Sequence, residues 1–332
     1  MPKPPSRVVP SAASSDATLA TGPFAVWPGS YVEVGGAKVH VRSTPPTHGE
    51  AAEREPALFV HGLGGSSRNW TDFAGLLRDR VAIEAIDLLG HGRSGPAPDA
   101  DYSPRAQADA VVAYLEKSDR GPVHLVGNSM GGAISILVAS TRPDLVRTLT
   151  LISPAVPDNR PRLYPLRHNP RMALLVVPAL GEFAVRKFNQ RFAPEVRAKG
   201  TIALCFAKPD RYSALRLRED VAEMSYRESL PWANSALLRS MRALATSQLL
   251  RGRRGWATMR RVAAPTLVVW GDTDRLVAPD LAPYVAAAIP DSRLRVLTDI
   301  GHTAMMEDPS STAALFLGLL DEAADVSRSE AS

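Results

Sequence analysis

The chain has 332 residues, 45% hydrophobic and 22% charged, with 23 Gly, 28 Pro, one Cys and a net charge of +5. That mixture excludes a disordered or fibrous protein. The lone Cys205 excludes an internal disulfide framework and a cysteine-based zinc site.

Residues 1–25 are rich in Pro, Ser and Ala and lack the apolar core of a secretory signal, so a flexible tail is expected there. No apolar run approaches the ~20 residues of a membrane-spanning helix. A soluble, cytoplasmic protein is the expectation. Tyr31–Arg42 carries two β-branched runs around Gly35-Gly36 and predicts a hairpin. Ala57–His61 and Val81–Asp87 predict buried strands, each running into a glycine-rich loop. Ser103–Lys117 has apolar residues at helical spacing, with Ser103 as cap and Pro104 as first helical residue. Val123–Gly127 predicts a strand, Ala133–Ser140 a helix and Thr148–Ser153 the sixth strand.

After Pro154 the strand rhythm stops for about a hundred residues of helical, arginine-rich sequence. It resumes with a strand at Thr266–Trp270, a helix at Pro279–Ile289, a strand at Arg293–Leu297 and a closing helix at Ser311–Ala323. The alternation predicts an α/β protein with a mostly parallel central sheet flanked by helices. The expected organisation is a core of residues 26–154 and 262–326, with a helical, basic lid of 155–261 inserted after the sixth strand. Between Asp158 and Arg261 stand 21 Lys and Arg against 8 Asp and Glu, a balance of +13, which leaves −8 for the remainder. Two readings of this asymmetry stand: a contact with an anionic surface or substrate, or an arginine-laced solvated face. No nucleic-acid module accompanies the charge, so no nucleic-acid partner is expected.

Gly127-Asn128-Ser129-Met130-Gly131 fits G-x-S-x-G between a predicted strand and a predicted helix. The pattern places Ser129 on a sharp turn with its hydroxyl above the sheet, where side chains two residues away on either side would collide. The competing reading, a nucleotide-binding turn, lacks any G-x-G-x-x-G or P-loop lysine. A serine needs a base, and the base an orienting carboxylate. His302 follows the last strand. His40 and His124 lie within strands, and His48 and His168 in loops without a strand end to fix them. Asp274, in the loop after Thr266–Trp270, is the expected acid. Asp272 is the rival, read as turning the loop. The Met130 and Leu63 backbone N–H groups are the expected oxyanion hole, with His61 shaping the Leu63 loop. Asp87 and His91 hold the Asp87–Gly95 turn.

HGLGG at 61–65, DLLGHGRS at 87–94, GNSMGG at 127–132, GDTD at 271–274 and GH at 301–302 stand in one order over residues 30–325. This series resembles the α/β-hydrolase fold superfamily, particularly its lid-bearing serine hydrolases. The resemblance implies a hydrolase without cofactor or metal, with Ser129 as nucleophile, His302 as base and Asp274 as orienting acid. Epoxide hydrolases and haloalkane dehalogenases of this fold differ, carrying aspartate where Ser129 stands. Carbon–carbon bond hydrolases are similar at the elbow but have an aromatic residue after the histidine, where this chain has Thr303. A carboxylic ester, small-molecule or lipid-like, is the expected substrate. The alternatives are a diketone carbon–carbon bond and a non-catalytic binding module. Met172–Val177, Phe183 and Phe188 are read either as acyl-pocket lining or as core packing.

Overall fold

The computed structural model describes residues 24–45, 54–158, 164, 172–250 and 252–330. The expected tail lies outside them up to residue 23, as do His48 and His168.

One eight-stranded sheet organises the molecule: β1 (Gly29–Val34), β2 (Ala37–Ser43), β3 (Glu55–Val60), β4 (Val81–Ile86), β5 (Val123–Asn128), β6 (Val146–Ile152), β7 (Thr266–Gly271) and β8 (Ser292–Leu297), in the order β1-β2-β4-β3-β5-β6-β7-β8. β1 and β2 form the antiparallel hairpin, turning where Gly35 and Gly36 have φ of 56° and 80°. β2 joins β4 antiparallel, and every pairing from β4 through β8 is parallel. This is the mostly parallel sheet of the expected α/β-hydrolase fold. The central strands β5 and β7 are buried throughout because both faces are covered. In β3, Leu58 and Val60 enter one core while Ala57 and Phe59 enter the other.

Helices α1 (Thr71–Leu77), α2 (Pro104–Ser118) and α3 (Met130–Thr141) follow β3, β4 and β5. The sequence predicts no helix at α1. Its seven residues are too few for a clear period, and it is prepared by a 3-10 turn at Ser67–Trp70, where Ser66 N donates to Asn69 Oδ1 at 2.9 Å. α2 starts as expected, with Ala106 N donating to Ser103 Oγ at 3.2 Å, and ends at Asp119 in the left-handed region.

Between β6 and β7 the described chain runs through α4 (Met172–Val176), α5 (Leu180–Arg191), α6 (Pro194–Cys205), α7 (Ala214–Glu228), α8 (Ala233–Leu250) and α9 (Gly252–Met259). After β7 come α10 (Ala282–Ala288), α11 (Ala304–Glu307) and α12 (Pro309–Glu330). One core packs α2, α3 and α10 against the sheet through Val111, Ile134, Val138 and Val285. The other packs α1, α11 and α12 through Phe73, Leu77, Met305 and Phe316. There Phe59 and Trp70, both fully buried, meet at 5.1 Å between ring centroids. The two layers leave the carboxyl ends of β3, β5, β7 and β8 to carry the loops that matter.

Candidate active site

At the end of β5 the chain turns directly into α3, and Ser129 occupies that corner with φ 53° and ψ −117°. Three backbone hydrogen bonds hold it. Ser129 N donates to Ile152 O at 3.1 Å, and Ser129 O accepts from Ala133 N at 3.1 Å and from Ala155 N at 2.9 Å. A Cβ on Gly131 would lie 2.1 Å from Val60 O, so the first turn of α3 presses on the end of β3 as only glycine allows.

The loop after β3 closes over this corner. A Cβ on Gly62 would stand 3.1 Å from Ser129 Cβ, so the Gly62–Leu63 backbone runs beside the serine. His61 fixes it: its Nδ1 meets Gly62 O at 2.7 Å and its Nε2 accepts from Leu88 N at 3.0 Å. Both ring nitrogens are committed to backbone, and burial lowers the His61 pKa despite nearby Asp87. This is the loop-shaping role expected for His61.

The β7 and β8 loops bring the remaining pair together. His302 Nδ1 lies 2.8 Å from Asp274 Oδ2, and both side chains are buried. The other Asp274 oxygen accepts from Leu276 N at 2.8 Å and Val277 N at 3.0 Å. Both Asp274 oxygens are thus occupied, one by the His302 ring and one by its own loop. The rival Asp272 is exposed and binds the neighbouring loop instead, accepting from Asp299 N at 2.9 Å. Asn128, next to Ser129, donates from Nδ2 to Ile152 O at 3.0 Å and to His302 O at 3.1 Å. That side chain joins the elbow to the histidine loop.

Among the described residues, the other histidines are bound to their neighbours within the fold. Asp87 accepts from His40 Nδ1 at 2.8 Å, Ser67 N at 2.5 Å and Arg93 N at 2.9 Å. Burial alone would raise its pKa, but His40, His61 and the Ser67 N–H outweigh that and hold it down at about 2. His91 packs 5.6 Å from His61 between ring centroids, and burial first, then the neighbouring His61 and Arg227, press its pKa down to about 3. His124 bridges Thr148 and Glu55 on the sheet. Burial pushes the Cys205 thiol up to about 12, with Asp274 and Glu307 adding to it, so it is no rival nucleophile.

Three contributors went unnoticed in the sequence. Asn128 read as a spacer within the motif. Glu307, buried, accepts from Gly301 N at 2.7 Å, Ala207 N at 3.1 Å and Lys208 N at 2.7 Å, so it ties the histidine loop to the end of α6. Arg227 of α7 donates to Gly64 O at 2.5 Å and steadies the loop beside the serine. The only signal for Glu307 was its place five residues beyond His302; Arg227 had none, because its partner lies 163 residues away. Among the described residues no group of three His, Cys, Asp or Glu could hold a metal ion.

A strand-end serine beside an Asp-His pair on a parallel sheet defines the class of arrangement that α/β hydrolases use. The model of the α/β hydrolase fold family matches residues 56–309. This chain is 29% identical to Lipase 1 of Psychrobacter immobilis over 266 residues, 78% of this chain and 74% of that protein. It is 28% identical to Lipase 3 of Moraxella sp. (strain TA144), covering 78% and 75%. A putative lipase from Acinetobacter baumannii superimposes with a TM-score of 0.72 over 90% of this chain and 92% of that one; at 18% identity it shows the fold alone. The chain belongs to the α/β-hydrolase fold family, on its esterase- and lipase-like side, and these relatives support a hydrolase.

Proposed function

We propose that this protein hydrolyses a carboxylic ester, small-molecule or lipid-like, through an acyl-enzyme formed on Ser129. The observation that carries the reading is the Asp274–His302 pair at 2.8 Å, whose loop is bonded to Asn128 at 3.1 Å, beside a serine held at φ 53°. Ser129 Oγ attacks the ester carbonyl carbon while its proton passes to His302 Nε2. The carbonyl π pair moves onto oxygen, where the N–H groups of Leu63 and Met130 receive it. Collapse re-forms the carbonyl and breaks the bond to the alcohol oxygen, which takes the proton from His302. Water then attacks the acyl carbon as His302 accepts its proton, and breaking the bond to Ser129 Oγ releases the acid and restores the serine. Asp274 orients the ring and stabilises the imidazolium.

The helices of 155–261 act, in this reading, as a lid over the site. Arg227 to Gly64 O and Tyr164 Oη to Asp274 O at 2.7 Å join that segment to both halves of the machinery. The lipase-named relatives favour an ester over the carbon–carbon alternative. Hydrolysis of p-nitrophenyl esters of graded chain length by wild type and a folded Ser129→Ala variant tests the proposal. Turnover that the variant loses by several orders of magnitude is expected. Equal turnover in both, or none by wild type on any ester, would refute it.

A further inference from the structure

Among the described residues nine large hydrophobic side chains are exposed, and eight of them fall between Leu174 and Val196. This overturns the core-packing reading of the stretch: Leu174, Val176, Val177, Phe183 and Phe188 face solvent at 44–50%, and the side chains of Met172 and Ala173 lie outside the described residues. The element is not loosely attached. Arg242 of α8 donates to Val176 O at 3.1 Å and Val177 O at 3.2 Å and holds both Glu182 oxygens, at 2.6 and 2.9 Å. One arginine thus fastens α4 and α5 to α8 with their apolar side turned out. Phe188 and Phe192 meet at 5.0 Å between ring centroids and extend that side to the start of α6.

The charges on the segment have one sign once the pairs are removed. Glu182 is taken by Arg242, and Glu195 by Lys199 at 2.6 Å. Arg186, Lys187 and Arg191 remain exposed, and the first two stand 5.6 and 5.8 Å from the Phe183 ring centroid. Phenylalanine and leucine flanked by lysine and arginine on one short helix is the chemistry of an element that lies in a membrane interface, rings among acyl chains and cations among headgroups. A second copy of this chain is a poorer occupant, since a two-fold contact presents the same three cations to themselves.

We infer that the Leu174–Val196 face docks the protein on an anionic lipid surface, as a peripheral contact without spanning it. No described helix is long and apolar enough to cross a membrane. The inference does not depend on the ester reading. It is tested by sedimentation of the full chain with sucrose-loaded phosphatidylcholine vesicles, with and without phosphatidylglycerol at roughly one part in four. Binding to the anionic vesicles on the order of 10²-fold tighter than to the neutral ones is expected, weakening with salt. Phe183→Ser with Phe188→Ser should weaken it at least ~10-fold, and Arg186→Gln with Lys187→Gln should remove most of the salt dependence. Circular dichroism melts confirm that these surface variants fold. No binding to either vesicle, binding untouched by the phenylalanine changes, or a dimer that those changes split would each overturn the inference.

Discussion

Ser129 carries a backbone conformation that costs a non-glycine residue about 1–3 kcal/mol, which the three surrounding hydrogen bonds and the packing of α3 on β3 sustain. Strain of this kind is stored where function needs it. Ser129→Gly is therefore expected to melt a few degrees higher than wild type, for roughly 1 kcal/mol gained, while losing ester turnover. A melting point lower than wild type would show that the site is not strained. His91 gives a second test. Its ring stays neutral in the folded protein down to a pKa of about 3, whereas in the unfolded chain it takes up a proton near 6.5. Between those values the unfolded state binds more protons, so stability falls as pH falls. From pH 6.5 to 5 wild type should lose about 2 kcal/mol more than His91→Gln in urea unfolding. Parallel losses would remove His91 as the cause.

Among the elements, the glutamate at the end of α11 receives three backbone N–H groups, from the histidine loop and the end of α6. Glu307→Gln has one acceptor oxygen where three N–H groups converge. It should lower kcat by ~10–100-fold with little change in KM, because substrate contacts stay while the base loses its placement. Glu307→Asp should recover part of that rate; a change confined to KM, or none, would contradict the role. Most of the scaffold was legible in the sequence because β3, β4, β5 and β7 are short apolar runs that lead into glycine-bearing loops and alternate with helical stretches. Ser129, Asp274 and His302 could be picked out because each follows a strand end. Glu307 and Arg227 were hidden because Ala207 and Lys208 for the one, and Gly64 for the other, come from chain 99–163 residues away, which no local spacing encodes. The outward apolar side of α5 was hidden too, since periodicity gives a stripe but not what it faces.

At the scale of the molecule, the division of charge becomes an attachment. The basic middle of the chain is bound to the acidic remainder by Arg216 to Asp72 at 2.6 Å and Lys208 to Asp299 at 2.5 Å, while Arg93 of the remainder pairs in the opposite sense with Glu223 at 3.6 Å. Lys208 and Asp299 are exposed, and such a pair contributes little. Arg216 is 7% exposed at its side chain; it grips Asp72 and Glu219 and donates to Phe24 O. Arg216→Met should cost roughly 2–3 kcal/mol and lower the melting temperature by several degrees, because the partner carboxylates lose their cation. A melt unchanged within a degree would remove Arg216 as an anchor of the helices between β6 and β7.

Acylation of Ser129 is tested by peptide mass spectrometry after rapid acid quench of the protein mixed with p-nitrophenyl acetate. One acetyl group is expected on the peptide that carries Ser129, formed within the first turnover, absent from Ser129→Ala and much slower to form in His302→Ala. Ester hydrolysis by a folded protein with no acyl group on that peptide, or with the group on another residue, would contradict it.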